Sequence, residues 1–334
     1  MKQVPNPTQE EVILTTRIEQ KSSQTLLEFL TRKFTYHSEA NWRERIQKGK
    51  VTVNERPASE GQPLRAGDTV SYATEAWVEP VVNPNYRVIF EDEILLLISK
   101  PAPLPVHAVG VYFQNTLMHL LRKDRPEAEN YHLVHRLDSE TSGLLLLTKD
   151  KKYLKPLQKQ WDEGKVQKTY RAIVFGKFEP AQQVVDAPIG PKKNSLIRMK
   201  LAVINPLSPF EKRGSGGISQ GKPSITEFKC LGIKGNFSLL EVKPLTGRTH
   251  QIRVHLESIG YPIVGDKLYS GNDETFIEYV EQGFTESLKQ KVILPRLALH
   301  ASRLELNHPQ TVKRMNFEDP MSEDLSHFWD GLSG

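Results

Sequence analysis

Cysteine is nearly absent: Cys230 alone in 334 residues leaves no internal disulfide framework and no cysteine-built zinc site. Long hydrophobic runs are also missing. Stretches such as Leu144–Leu147 fall far short of the roughly 18 apolar residues a membrane helix needs, so no membrane partner is expected. The opening MKQVPNPTQEEV carries prolines and glutamates where a secretory leader has an apolar stretch and a transit peptide has arginines. A cytoplasmic protein is expected. Histidines are few, and His250 and His255 are five apart on a predicted helix, where ligands sharing a face fall three or four apart. No metal is expected. With 38% hydrophobic and 25% charged residues, the composition is that of a globular chain of about two domains.

Charge of one sign is scarce overall, at +5 net, but it is unevenly placed. Between Lys149 and Arg171 eight basic residues face three acids, so this stretch alone carries the whole excess. Two further basic clusters are Arg43, Arg45, Lys48 and Lys50, and Lys192, Lys193, Arg198 and Lys200. Such stripes attract phosphate backbones, although a charge run is commonly just a solvated face.

Residues 1–16 read as a loose arm. Over 17–80, Leu26, Leu27, Phe29, Leu30 and Phe34 recur at helical spacing, and a second helix covers 41–47 until Gly49 stops it. KVTVN and TVSYA then predict a small hairpin, and VEPVVNPNY a linker. A second domain over 85–320 mixes predicted strands (RVIFED, ILLLISK, SGLLLLTK, YRAIVFG) with predicted helices (NTLMHLLRK, and 150–164 with Leu154, Leu157 and Trp161 on one face). Pro156 must either begin that last helix or kink it. FEKRGSGGISQGKPS predicts a flexible loop and SITEFKCLG with FSLLEVKP a hairpin. A helix opened by Thr249 places Ile252, Leu256 and Ile259 on one face, and residues 321–334 form a tail. The class predicted is α+β, with a largely antiparallel mixed sheet in the larger domain.

The densest polar constellation is VHRLDSETSGLLLLTKD, where a turn rich in hydroxyls precedes an almost wholly apolar strand. Asp138 there stands at the rim of a core beside Arg136, and can be kept ionised yet partly dry. Composition alone reads it equally as an Asx-turn or capping residue. Its HRLD is not the protein-kinase HRD, because no glycine-rich loop, V-A-I-K strand or D-F-G accompanies it. A G-x-S-x-G elbow is absent as well.

HRLDSETSGLLLLTK, KVQKTYRAIVFGK and PLTGRTHQIRVHLESIGYPIVGDKLY, in that order, resemble the signature stretches of the RluA family of RNA pseudouridine synthases, and KPAPLPVHAVG resembles an earlier segment of the same family. Residues 17–72, with Ile46, Gly49, Val51, Val53, Asn54, Leu64, Gly67 and Asp68, resemble the S4-like RNA-binding module of a small-subunit ribosomal protein. The resemblance implies isomerisation of uridine to pseudouridine in structured RNA, ribosomal or transfer, by a monomer with no cofactor. It implies that Asp138 is the essential carboxylate, as nucleophile at the anomeric carbon or base at the neighbouring ribose carbon, and that the target base is flipped out of its stack. It maps the family's tyrosine onto Tyr170 and its arginine onto Arg253, paired with Asp138. By propensity alone Tyr170 is only a strand aromatic, and Arg253 could pair with Glu257 one turn on. Substrate contacts are expected from Arg136, Arg248, His250 and Gln251, and RNA contacts in the smaller domain from Arg43, Arg45, Lys48 and Lys50. The competing reading is a non-catalytic RNA-binding or ribosome-assembly factor that keeps the fold. A glycosidase-like reading would need Glu140 as a second positioned carboxylate.

Overall fold

A computed structural model describes residues 13–18, 24–34, 38–73, 79–204 and 221–333. The glycine-rich loop expected around Gly214–Gly221 lies, but for its end, outside them. The chain divides into two compact units, one running to Val81 and including Val109–Tyr112, the other holding Val82–Ala108 and everything from Phe113 on.

The smaller unit contains β1 (Ile13–Arg17), α1 (Leu26–Lys33), α2 (Glu39–Gln47), β2 (Val51–Val53), β3 (Arg56–Pro57) and β4 (Thr69–Ala73). Thr25 and Glu28 close a reciprocal capping box at the start of α1, satisfying donors that a helix start leaves open. Leu26, Leu30, Trp42, Val51 and Val70 form its core. The expected loose arm is corrected in part, because Ile13–Arg17 pairs antiparallel with β4 along its whole length.

The larger unit runs β5 (Arg87–Glu91), β6 (Leu95–Lys100), α3 (Leu117–Asp124), β7 (His132–Leu133), β8 (Ser142–Thr148), α4 (Leu154–Asp162), β9 (Gln167–Phe175), β10 (Gln182–Asp186), β11 (Ile189–Pro191), β12 (Leu201–Val203), β13 (Ile225–Lys234) and β14 (Phe237–Pro244). There follow α5 (Gln251–Ser258), α6 (Asp273–Gln282), α7 (Glu286–Val292), β15 (Leu299–Asn307), β16 (Arg314–Glu318) and α8 (Glu323–Asp330). One sheet dominates, in the order β10-β13-β14-β9-β15-β8-β6-β5. Every pairing in it is antiparallel except β15 with β8, which matches the mixed, largely antiparallel expectation. Strand β8 is buried at all seven positions, as a central strand covered on both faces must be, and that explains its unbroken apolar run.

Pro156 begins its helix rather than kinking it. It is the third residue of α4, within the first turn, where an amide hydrogen has no intrahelical acceptor to lose. The expected tail is corrected: α8 is packed into the main core through Leu325, Phe328 and Trp329. Asp324 accepts a two-pronged contact from Arg296 at 2.6 and 2.7 Å.

The sheet register aligns Val242, Tyr170, Ala301 and Gly143 in one row across β14, β9, β15 and β8. Gly143 permits that row. Its φ is +106°, and a Cβ there would stand 2.3 Å from the Ala301 carbonyl oxygen, so no side chain fits while the strands stay paired. Gly143→Ala is expected to cost about 3 kcal/mol or more, combining backbone strain with overpacking. Chemical denaturation should show this as a lowered midpoint at unchanged slope.

Candidate active site

The row just described ends at a loop. Between β7 and β8 the chain makes a turn closed by the Thr141 amide donating to the Asp138 carbonyl at 3.1 Å. The carbonyl of Ser139 accepts from the Leu104 amide at 2.8 Å and from Lys100 Nζ at 3.0 Å. Glu140 accepts from Lys267 Nζ at 2.6 Å and from the Leu297 amide at 3.0 Å. With its neighbours held this way, Asp138 is presented at the wall of a cleft of about 280 Å³ that Tyr170, His250 and Arg253 also line.

Arg253 projects from α5 and joins two carboxylates. Its Nη1 donates to Asp138 Oδ2 at 2.8 Å, while Nε and Nη2 donate to Asp266 at 2.7 and 2.8 Å. Asp266 is fully buried and also accepts from the amides of Leu268 and Tyr269. The guanidinium lies 4.9 Å from the Tyr269 ring centroid, a cation–π distance. The local Arg253–Glu257 pair is therefore not made; Glu257 instead meets Lys192 at 3.5 Å. Burial pushes the Asp138 carboxyl up, but Arg253, aided by His250 and Arg136, outweighs that and holds it below the ordinary aspartate value. Asp138 is ionised at neutral pH. Burial, with the Asp138 charge beside it, raises Tyr170, which is therefore a neutral phenol.

All four expected substrate contacts, Arg136, Arg248, His250 and Gln251, line the cleft, Arg136 and Arg248 exposed. His250 is pushed down to about 4 by burial and Arg253, and lies 2.9 Å from the Tyr269 hydroxyl. Gln251 needs correction. Its side chain is buried in a network, accepting from Thr246 Oγ1 and the Arg248 amide and donating to the Ile225 carbonyl and Thr226 Oγ1. That network folds the preceding turn back, leaving His250 in the left-handed region at φ 55°, so α5 starts at Gln251 and Thr249 does not open it. Glu140, with Lys267 and the Leu297 amide as partners, is not free as the second carboxylate a glycosidase would need.

Basic residues separate into two kinds. Arg45 is buried, held by Asn41 Oδ1 and the Ala73 carbonyl, so it is not the exposed RNA contact expected. Lys200 is likewise buried against Asp273 at 2.8 Å and leaves the third basic cluster. Arg43 and Lys48 are exposed but paired with Glu39, Glu60 and Glu44. Sequence reasoning missed Asp266, which a buried position beside a glycine turn does not announce, and placed Lys168 only within a basic stripe expected to attract phosphate, whereas it lines the cleft itself. Trp161 also lines it, stacked on His135 with centroids 5.0 Å apart.

The family model for RNA pseudouridylate synthase matches residues 94–258, the segment that carries Asp138, Tyr170 and Arg253. The chain is 35% identical over 84% of both chains to ribosomal large subunit pseudouridine synthase C of Vibrio vulnificus and, with the same figures, to that of Escherichia coli. It is 33% identical over 87% of both chains to ribosomal large subunit pseudouridine synthase D of Pseudomonas aeruginosa. Among solved structures, human RNA pseudouridylate synthase domain containing 1 superposes with a TM-score of 0.55 at 25% identity, covering 74% of this chain and 89% of that one. The chain belongs to the RNA pseudouridylate synthase family, in its RluA branch, and is an enzyme of that class. Among the described residues no group of side chains could hold a metal ion, and no helix is long and apolar enough to cross a membrane.

Because the buried Gln251 side chain has four hydrogen-bond partners within the fold, Gln251→Ala is expected to lower stability by about 2–4 kcal/mol, the cost of stranding polar groups there. Thermal unfolding with RNA absent checks this. A binding defect at unchanged stability would restore the contact role.

Proposed function

We propose that this enzyme converts uridines of large-subunit ribosomal RNA to pseudouridine, with Asp138 as the essential carboxylate. The observation that carries the reading is a carboxylate kept ionised in the wall of a cleft by a guanidinium that a second, buried carboxylate holds in place. The chemistry needs such a group. The bond from uracil N1 to the ribose anomeric carbon breaks, the ring turns, carbon 5 joins the same sugar carbon, and the carbon 5 hydrogen leaves while N1 gains one. Atoms and electrons balance within the substrate, so the reading requires no redox partner or metal. Asp138 acts either by attacking the anomeric carbon or by taking a proton from the neighbouring ribose carbon; both need the anion. The neutral Tyr170 phenol serves as the ring that packs on the displaced uracil and as a hydrogen-bonding hydroxyl, not as a free base. A base must leave its stack to enter a cleft of this size, so the target is flipped or already unpaired.

Relatives named for the large ribosomal subunit favour ribosomal over transfer RNA as substrate, and with it a cytoplasmic enzyme. The smaller unit, with its two capped helices packed on an antiparallel sheet, serves as an S4-like hold on RNA. Arg43 on α2 and Lys48 at its C-terminal cap are its candidate contacts, with Lys50 just beyond. Their exposed ion pairs are worth little in water, and phosphate can displace the glutamates.

Asp138→Asn is expected to abolish tritium release from large-subunit ribosomal RNA labelled at uridine carbon 5, while RNA affinity changes less than about threefold. Release by the variant would remove Asp138 from the chemistry. Arg253→Lys replaces a fork by a point charge, so less opposes the upward push of burial on Asp138. The ionised form, and activity with it, should then be lost at higher pH on acidification, moving the acid limb of kcat up by roughly one unit, about 1.4 kcal/mol of lost carboxylate stabilisation.

A further inference from the structure

One half-buried cation in the cleft lacks the partners that the buried lysines have. Lys100 Nζ donates to three carbonyls, those of Pro101, Leu104 and Ser139. Lys200 and Lys267 each meet a carboxylate, Asp273 and Glu140, at 2.8 and 2.6 Å. Lys168 donates once, to the Thr246 carbonyl at 3.1 Å, and among the described residues no carboxylate lies within ion-pair reach of it. An ammonium has three donors, and a partly desolvated cation short of partners is stabilised by an anion that joins it. The titratable groups around it add no negative charge. Arg248, in the turn before α5, repels it, and burial keeps His135, in the loop before β8, neutral by pushing it down to about 3. Strand β15 sets only Leu304 opposite. The Arg248 guanidinium, exposed in the same cleft, has its Nε on the Pro223 carbonyl and also makes no ion pair among the described residues. By contrast, the Arg253 end of the cleft is matched by two carboxylates.

We infer that Lys168 and Arg248 form a phosphodiester subsite of the cleft, which takes a backbone phosphate beside the target uridine. The inference rests on the RNA-modifying reading above. A phosphate supplies the anion that both cations lack, and a chain anchored there sets how deeply the uridine reaches toward Asp138. Lys168, two residues from Tyr170 on β9, is thus a substrate-binding residue and not part of a solvated stripe. Burial and Arg248 bring its ammonium down to about 8, so the empty subsite discharges as the pH rises through that value.

The test uses the full chain with an unmodified large-subunit ribosomal RNA transcript tritiated at uridine carbon 5. Lys168→Met is expected to raise KM about tenfold with kcat within threefold. It should also reduce the slope of log affinity against log salt by about 0.7–0.9, the signature of one lost phosphate contact. Wild-type affinity should weaken above about pH 8, whereas Lys168→Arg, which stays charged, should hold its affinity to pH 9. Once the modified uridine is mapped, a single uncharged methylphosphonate on its 5′ or its 3′ side identifies the phosphate: the one that costs the wild type affinity but not Lys168→Met. An unchanged KM and salt slope in Lys168→Met would overturn the subsite, as would a collapse of kcat alone. If Lys168→Met does not fold, the pH comparison with Lys168→Arg decides. No release by the wild type would overturn the ribosomal RNA reading instead.

Discussion

The site depends on one arginine shared by two acids. Asp266 is fully buried, and four donors converge on its two oxygens: Arg253 Nε and Nη2 and the amides of Leu268 and Tyr269. This fixes the guanidinium plane, leaving Nη1 directed at Asp138. Arg253 therefore acts less as a counter-ion for Asp138 than as a rigid arm whose direction is set behind it. Removing one member of such a buried set typically costs about 3–5 kcal/mol, because the remaining charge is stranded. With two carboxylates against one guanidinium, Asp138, which takes one of its donors, is less compensated than Asp266, which takes two.

What holds Asp138 itself is a set of cations that never touch it. Lys100, Lys267 and Arg296 meet the adjoining residues through the Ser139 carbonyl, the Glu140 carboxylate, and Ser142 Oγ. Arg296 in turn grips Asp324 at the start of α8, so the C-terminal helix is tied to the same loop that presents Asp138. The Gly143–Ala301 approach locks the other end of the loop into the sheet. A turn built of small hydroxyl residues is flexible by itself; here its backbone and side chains are fastened from three elements distant in sequence.

Much of the framework was legible because it is local. Apolar runs of the right length marked β6 and β8 and two strand-like stretches marked the β13–β14 hairpin, while Pro156 left open whether α4 begins there or kinks. The site was legible only through long motifs that resemble a family: by propensity Asp138 is a turn residue and Arg253 a surface partner for Glu257. The misreadings share a cause. Arg45, Lys200 and Gln251 are long polar side chains whose partners, Ala73, Asp273 and Ile225, lie 26 or more residues away, and sequence spacing carries no trace of such pairs. The same holds for α8, whose amphipathic pattern is plain but whose docking site belongs to β13 and β14.

The cleft also separates charge along its length in a way that suits the chemistry proposed for it. Beside Asp138, two titratable groups are neutral: burial keeps His250 down at about 4 and raises Tyr170. Uracil is itself neutral, so entering that end requires no counter-charge, and the one anion it meets is the carboxylate. A protonated His250 there would weaken Asp138 as nucleophile or base by stabilising its ground state further. Burial and the Arg253 charge keep it neutral against the pull of Asp138 and Asp266, which favour its protonated form. One guanidinium, anchored from behind by Asp266, thus holds Asp138, the carboxylate proposed to react, ionised beside groups that burial keeps neutral.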